Sequence, residues 1–406
     1  MAPHAPPVAH RPLHQAWPPA RLKHLLCLDD FEEAARRHLP RPIFGYISGA
    51  AETNRSLHAN REAFDEYAFV PRVMVDISKR SQACTFFGHT YGAPVGLSPM
   101  GLSALSAYRG DLALARAASA NNVPMIMSGS SLIRLEEVAA VAPATWFQAY
   151  LPGDVPAIEA LVDRVSAAGF QTLVITVDTP VAANRENNVR AGFSTPLRPT
   201  LRLAIDGITH PRWLLSTFLR TIALHGMPHF ENNYAKRGAP ILSPNVERDF
   251  SDRGHLTWHH LALIRQRWNG RLVVKGILNI DDARIARDRG ADGLMVSNHG
   301  GRQLDGAISP LKVLPEIARA CSEIPVFMDS GVRRGTDVLK ALALGAKCVF
   351  VGRPFGYAAA VGGEAGVAYA INLLTQEISR DMAMLGITSL DQLDASSHLR
   401  DVRCIA

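Results

Sequence analysis

The 406-residue sequence has no apolar run approaching the ~18 consecutive residues that a membrane-spanning helix needs. Its first stretch, MAPHAPPVAHRPLHQAWPPARLKH, is rich in Pro and His and has no apolar segment typical of a signal peptide. These two absences argue against a spanning protein and against a secreted one. We therefore expect a cytoplasmic protein.

Cysteine is also scarce. The five cysteines are odd in number, widely spread and never in CxxC spacing, which argues against a disulfide framework and against a zinc site. They are Cys27, Cys84, Cys321, Cys348 and Cys404. We interpret all five as core or incidental thiols, and we predict no metal site.

Positive and negative side chains are nearly equal in number. Lys and Arg number 43 against 37 Asp and Glu, a net charge of +6, and no Lys/Arg block accompanies this excess. A nucleic-acid partner is therefore not expected. The small excess still favours anionic small molecules or an anionic membrane surface. With 47% hydrophobic residues, the composition indicates a globular protein with a large core.

From about residue 93, short apolar segments rich in β-formers alternate with helical stretches, several of which end in Gly. Eight such segments are the predicted strands: 93–100, 124–130, 145–150, 172–178, 272–276, 292–298, 325–331 and 347–352. This order predicts an α/β fold, the (β/α)8 TIM barrel. An open doubly wound sheet is the alternative. It is disfavoured because no GxGxxG follows the first strand and polar residues end nearly every strand.

Three stretches lie outside this repeat. Residues 1–25 are predicted to be a disordered N-terminal extension, and 391–406 a C-terminal tail. Residues 26–390 form one predicted domain that begins with an N-terminal helical extension. Residues 185 to about 256, after the fourth strand, are too long for an ordinary connection and indicate a functional loop or lid.

Within this insertion, RWLLSTFLRTIAL predicts an amphipathic helix that is too short to span a membrane. Its predicted apolar face comprises Leu214, Leu215, Phe218, Leu219 and Ile222. Packing on the barrel or in an oligomer interface is at least as consistent with this pattern as contact with a membrane surface.

Three motifs follow the last predicted strands. SNHGGRQLDG (297–306) places a titratable His299 three residues before Arg302, a side chain suited to binding carboxylates. DSGVRRG (329–335) and GRPFGY (352–357) follow the seventh and eighth strands, where barrels commonly bind phosphate through backbone N–H groups with cationic help. Turn glycines with solvated arginines would explain either loop alone, but explain both less well.

Earlier strands end in polar side chains too. A buried lysine or carboxylate is unfavourable without a partner, so these groups are expected to face a polar ligand. They are Gln148, Tyr150, Thr176, Asp178 and Lys275.

With FQAY, TVDTP and VVKGI on their strands, these motifs make residues 28 to 390 resemble the FMN-dependent L-2-hydroxy-acid oxidising enzymes, which include glycolate and lactate oxidases and lactate and mandelate dehydrogenases. The resemblance implies that His299 is the active-site base, that Asp178 orients it, and that Lys275 stabilises the reduced flavin. It implies substrate binding by Tyr46, Tyr150, Arg185 and Arg302. It implies FMN contacts from Pro99, Met100, Gly101, Ser128, Gln148, Thr176, Lys275, Ser297, Asp329, Ser330, Gly331, Val332, Arg333, Gly352 and Arg353.

One departure from the family bears on the electron acceptor. Gly101 stands where oxidases resembling glycolate oxidase have Ala, whereas members of the family resembling the dehydrogenases and lactate monooxygenase have Gly. We therefore expect oxidation of a lactate-like L-2-hydroxy acid to the 2-oxo acid, with electrons passing to a quinone at the inner face of the cell membrane. The resemblance also implies a homotetramer. Alternatives left open are an oxygen-reducing oxidase or monooxygenase, a sugar-phosphate isomerase barrel and a flavin-binding barrel without turnover.

Overall fold

The computed structural model describes residues 20–194, 198, 200–243 and 253–404. Most of the predicted disordered extension, residues 1–19, lies outside this part of the chain. Its end at residue 25 is wrong, because Leu22 and Leu25 are only 1% and 3% exposed and belong to the core.

The strands of the described residues are short. They are β1 (Tyr67–Phe69), β2 (Cys84–Phe86), β3 (His89–Tyr91), β4 (Val95–Leu97), β5 (Ile126–Ser128), β6 (Trp146–Ala149), β7 (Thr172–Thr176), β8 (Arg271–Ile277), β9 (Gly293–Val296), β10 (Val326–Met328), β11 (Cys348–Val351) and β12 (Leu399–Asp401).

Helices separate the strands from β4 onward. The α-helices of the described residues are α1 (Asp30–His38), α2 (Arg41–Ser48), α3 (Arg55–Asp65), α4 (Ser103–Ser106), α5 (Gly110–Ala120), α6 (Leu135–Val141), α7 (Val155–Ala167), α8 (Glu186–Ala191), α9 (Leu201–Thr209), α10 (Pro211–Trp213), α11 (Arg220–His225), α12 (Trp258–Arg267), α13 (Ile280–Asp288), α14 (Pro310–Ala320), α15 (Gly335–Ala343), α16 (Arg353–Leu385) and α17 (Ala395–His398). Within these described ranges, none of the helices combines the length and the apolar character that a membrane crossing requires.

Strands β4 to β11 form one parallel sheet in the order β4-β11-β10-β9-β8-β7-β6-β5. A parallel bridge between Leu97 and Met125 joins its two ends, and the Leu97 N–H donates to the Pro124 carbonyl at 2.9 Å. The sheet is therefore closed, and the predicted (β/α)8 barrel is confirmed.

An apolar cluster fills the barrel interior at the amino ends of the strands. Strand residues such as Trp146 and Phe327 pack there, and the hairpin β2–β3 covers them. The ring of Phe86 on this hairpin lies 5.1 Å from that of Phe327 and 6.0 Å from that of Trp146. Because this end is plugged with aromatic rings, the carboxyl ends of the strands are left for a polar site.

A segment near the C-terminus pairs with a strand that precedes the barrel. Strand β1 pairs antiparallel with β12, with Tyr67 opposite Asp401 and Phe69 opposite Leu399. The predicted C-terminal tail therefore packs against the helical extension that precedes the barrel, through a two-stranded sheet. This pairing was not predicted, since two three-residue strands carry no detectable period.

In the insertion, α10 and α11 flank a π-helical segment, Leu214–Leu219, in one continuous helix. The indole of Trp213 is buried and donates to the Leu105 carbonyl at 2.8 Å, which fixes this helix to α4. The predicted single apolar face is wrong: Leu214 and Phe218 pack inward, whereas Leu215 and Leu219 are exposed. The π turn changes the angular spacing on which the prediction relied.

Candidate active site

A cleft at the carboxyl ends of the barrel strands brings together most of the predicted site residues. Its lining includes Tyr46, Pro99, Met100, Gly101, Tyr150, Thr176, Arg185, Lys275, His299, Arg302, Asp329, Ser330, Gly331, Val332, Arg333, Gly352 and Arg353. The other predicted residues lie behind this wall and are Ser128, Gln148, Asp178 and Ser297.

His299 and Asp178 form a hydrogen-bonded pair across the ends of β9 and β7. The His299 Nδ1 atom lies 3.0 Å from Asp178 Oδ1. The left-handed backbone of His299, with φ of 57°, is held by its N–H, which donates to the Ser297 hydroxyl at 3.0 Å. With Nδ1–H donated to the carboxylate, Nε2 is left toward the cleft, where it lies 3.5 Å from the Tyr150 hydroxyl.

The electrostatics of this pair favour a neutral base beside an anion. Burial lowers the pKa of His299 below its ordinary value, and Asp178 only partly opposes this. Burial acts to raise the pKa of Asp178, but the attraction of His299 and Lys275 outweighs it and holds that pKa below its usual range. At neutral pH the imidazole can therefore accept a proton, and the carboxylate stabilises the resulting cation.

Lys275 on β8 is a buried ammonium group, with 3% of its side chain exposed. Its Nζ donates to the Ser297 hydroxyl at 2.8 Å and lies 3.2 Å from Asp329 Oδ2. Burial acts to lower its pKa, but Asp329 and Asp178 raise it above the ordinary value. Lys275 is therefore a permanent positive charge at the centre of the site. Asp329, predicted only as an FMN contact, is its ion-pair partner.

Two arginines, Arg302 and Arg185, carry positive charge into the cleft. Arg302 Nη1 donates to the carbonyls of Tyr46 and Gly49, at 2.8 and 2.7 Å, at the end of α2. Its Nε and Nη2 have no hydrogen-bond partner within the described ranges, so they can form a fork for a carboxylate. Arg185 Nε donates to the backbone carbonyl of Arg302 at 3.1 Å, and both arginines line the cleft.

The part of the site around Gln148 and Thr176 is suited to a flat ring system with polar edges. Gln148 Nε2 and Thr176 Oγ1 are buried and have no hydrogen-bond partner among the described residues. Ser128 Oγ and the Gly129 N–H each donate to Gln148 Oε1 at 3.3 Å, which orients the amide nitrogen the other way. Buried donors and acceptors of this kind need partners. The imino and carbonyl groups of a flavin ring have the donors and acceptors that such partners require.

The far end of the cleft carries the buried Arg333 and the half-buried Arg353. Burial lowers the pKa of Arg353 to about 10, so it remains cationic at neutral pH. Arg333 lies 3.4 Å from Asp29, and Arg353 donates to the carbonyls of Ile47 and Gly49. The structure thus brings both to the predicted phosphate end, where each also contacts protein. Their roles toward the phosphate stay predictions.

Sequence reasoning missed several residues of the site. Phe193 and Arg253, both from the insertion, lie over predicted substrate-binding residues: the Phe193 ring is 4.6 Å from that of Tyr46, and the Arg253 guanidinium is 5.2 Å from the Tyr150 ring. Gln303 was quoted in a motif but given no role. No periodicity or motif places the insertion residues over the barrel, so only the tertiary structure identifies them.

The family model for FMN-dependent dehydrogenases matches residues 35–401. The match covers most of the chain, which therefore belongs to the FMN-dependent dehydrogenase family. It is an FMN-binding oxidoreductase, and the predicted family and cofactor are confirmed.

Two curated relatives are L-lactate dehydrogenases. That of Caulobacter sp. (strain K31) is 40% identical over 376 residues, which are 90% of this chain and 96% of that protein. That of Pseudomonas entomophila (strain L48) is 39% identical over 384 residues, 92% of this chain and 98% of that protein.

Two solved structures also match over most of the chain. The monotopic membrane protein (S)-mandelate dehydrogenase matches with a TM-score of 0.84 and 33% identity, covering 93% of this chain and all of that one (100%). A mandelate oxidase with (S)-2-phenylpropionate matches with a TM-score of 0.75 and 35% identity, covering 92% of this chain and 98% of that one.

Proposed function

We propose that this enzyme oxidises an L-2-hydroxy carboxylate, with lactate as the first candidate, to the 2-oxo acid and passes the electrons to a quinone rather than to oxygen. The observation that carries the proposal is the shared cleft, in which a neutral His299 paired with Asp178 faces two arginines. A base next to a carboxylate-binding fork suits a substrate whose hydroxyl and carboxylate lie on adjacent carbons.

The residues divide the reaction between them. His299 Nε2 takes the hydroxyl proton, and Asp178 stabilises the imidazolium that forms. Arg302 and Arg185 bind the carboxylate, with the Tyr46 and Tyr150 hydroxyls beside them. FMN, when bound, would supply the two-electron acceptor for oxidation of the substrate α-carbon, whether the α-hydrogen leaves as a hydride or as a proton.

The flavin site is built from the residues around the orphaned polar atoms. Gln148 and Thr176 would hydrogen-bond the ring, and Lys275 would stabilise the negative charge of its reduced form. Arg333 and Arg353 would hold the phosphate. Each of these groups is a donor or a cation, which matches the acceptors and charges of FMN.

The substrate side chain is expected near Gly101. A Cβ added there would lie 3.0 Å from Ser130 Cβ and 3.2 Å from the Tyr46 hydroxyl, so alanine at this position would crowd both residues. Glycine leaves this space to a ligand. Two curated relatives are named for L-lactate and the solved neighbours for mandelate, so the aliphatic substrate and the aromatic one are the pair to compare.

The insertion supports contact with a membrane surface. Six large apolar side chains of α9 and of the α10–α11 helix are 45–79% exposed. They are Leu201, Ile205, Ile208, Leu215, Leu219 and Leu224. The first three follow helical spacing and form one face. With the monotopic neighbour, this exposure supports a peripheral position on the inner face of the cell membrane, where a quinone is accessible. The homotetramer stays a prediction that light scattering tests.

Anaerobic stopped-flow reduction of the bound flavin tests the substrate. We expect bleaching by L-lactate or L-mandelate and none by the D-enantiomers or by methyl esters. Absence of bleaching by every 2-hydroxy acid would favour a flavin-binding barrel without turnover. A protein without flavin absorbance would favour a different phosphate-binding barrel.

Reoxidation of the reduced enzyme tests the acceptor. We expect a soluble quinone to reoxidise the flavin faster than air-saturated buffer does. Rapid reoxidation in air with stoichiometric peroxide would instead make the protein an oxidase, like the mandelate oxidase it resembles. Acetate and carbon dioxide in place of pyruvate would indicate a monooxygenase.

A further inference from the structure

Gln303 joins two loops of the active site that come from non-adjacent strands. It lies in the loop after β9, four residues beyond His299, and its side chain is half-buried. Its Nε2 donates to the backbone carbonyl of Asp178 at 3.0 Å. Its Oε1 accepts a hydrogen bond from Arg185 Nη2 at 2.6 Å. A single amide therefore connects the loop after β7, which carries both Asp178 and Arg185, with the loop that carries His299.

The contact with Arg185 fixes a flexible side chain. Arg185 Nε already donates to the carbonyl of Arg302, so two consecutive residues, 302 and 303, accept from the same guanidinium. Nε and Nη2 lie on the same edge of the guanidinium, and two acceptors on that edge fix its direction and plane, whereas one acceptor lets it rotate. Loss of the amide acceptor removes one of these two constraints.

The position of Arg185 also matters to the base. The groups whose charges act on His299 are Asp178, which raises its pKa, and Lys275 and Arg185, which lower it. The Tyr150 hydroxyl faces it as well. Lys275 is buried on β8, whereas Arg185 is a half-buried, flexible side chain on the loop after β7, so its placement can change.

We propose that Gln303 is a positioning residue that holds Arg185 beside His299 and thereby sets substrate binding. The proposal rests on the function proposed above, in which Arg185 binds the substrate carboxylate. It assigns to Gln303 no contact with substrate or flavin.

Gln303→Met, which keeps the length of the side chain without its polar groups, tests this in the FMN-loaded enzyme. We expect kcat/KM for the 2-hydroxy acid to fall about tenfold to a hundredfold, mainly through KM, since a hydrogen bond to a charged group is lost. We expect the acid limb of kcat/KM to shift to higher pH, because Arg185 then depresses the pKa of His299 less. Leu304→Ala, a change at an exposed side chain of the same loop, should leave both unchanged.

Gln303→Glu separates the two hydrogen bonds. A carboxylate still accepts from Arg185 but cannot donate to the Asp178 carbonyl. We expect kcat/KM within a few-fold of the parent and an acid limb that moves upward, because the added negative charge favours the imidazolium. A Glu variant as impaired as the Met variant would overturn the proposal.

A double-mutant cycle with Arg185→Met shows whether Gln303 acts through Arg185. We expect Gln303→Met to have no further effect on kcat/KM in the Arg185→Met background. An undiminished effect there would overturn the proposal. A damaged Arg185→Met beside a normal Gln303→Met would overturn this inference alone. A normal Arg185→Met would overturn the substrate-binding role of Arg185 as well.

Discussion

At the scale of single residues, the chemistry depends on one imidazole that is both buried and oriented. His299 sits among two cations and one anion, and burial adds to the effect of the cations. Its Nδ1 contact with Asp178 directs the proton-accepting Nε2 into the cleft. The site therefore combines a base that is neutral before the reaction with a carboxylate that stabilises the base once it is protonated.

Replacement of the base tests this arrangement. We expect His299→Gln to retain FMN absorbance but to reduce the flavin roughly 10²–10⁴-fold more slowly, because glutamine cannot take the hydroxyl proton. Anaerobic stopped-flow measures the rate, and substrate-analogue binding serves as the control. A reduction rate near that of the parent would remove His299 from the mechanism.

The pH dependence gives a second test. Only neutral His299 accepts a proton, and its pKa lies below the ordinary value of 6.5. Catalysis should therefore hold through pH 6.5 and fall as the pH drops through the lowered pKa. In Asp178→Asn the carboxylate no longer raises that pKa, so the acid limb should move further down while the plateau falls on the order of 10²-fold or more. A limb that moves up would contradict this electrostatic account.

At the scale of the elements, the insertion after β7 is attached to the barrel at several points, among them Asn232, which accepts from the Leu135 N–H, and Trp213, which holds the surface helix. Trp213 anchors it through the Leu105 carbonyl and stacks on Phe218, with ring centroids 5.6 Å apart. Because α4 also lines the cleft, the anchor couples the surface helix to the wall of the active site. The apolar side chains that face away from the anchor are the ones available to a membrane.

Exposed leucines of this helix should govern membrane binding. We expect Leu215→Asp/Leu219→Asp to reduce co-sedimentation with phosphatidylglycerol vesicles about tenfold or more, since each buried leucine contributes roughly 1.5–3 kcal/mol. Turnover with a soluble dye acceptor should be unchanged. Val73→Asp/Met74→Asp, at side chains that are 81% and 100% exposed outside the insertion, is the matched control. Equal sedimentation of all three proteins would assign the helix to packing between subunits.

At the scale of the whole molecule, the barrel is closed at one end by aromatic packing and holds orphaned polar atoms and cationic side chains at the other. Gln148, Thr176, Arg333 and Arg353 all belong to the open end. A cofactor that binds only the folded chain and satisfies these groups must raise its stability.

Removal of FMN should therefore destabilise the protein. At a free FMN concentration of 100 times Kd we expect about 2.7 kcal/mol of added stability, visible as a higher Tm by differential scanning calorimetry. Riboflavin, which lacks the phosphate, should give a smaller increase because Arg333 and Arg353 then gain no anionic partner. Equal increases with both ligands would contradict the phosphate role of these arginines.

The sequence alone determined the barrel and most of its candidate site, because strand and helix periods are local and a barrel gathers the carboxyl ends of all strands at one face. His299, Asp178 and Lys275 could be placed at this face in this way, and the family resemblance supplied the roles predicted for them. Only the tertiary structure decided the pairing of Lys275 with Asp329 and the bridge made by Gln303, because contacts between residues far apart in the chain depend on side-chain directions that no local pattern encodes.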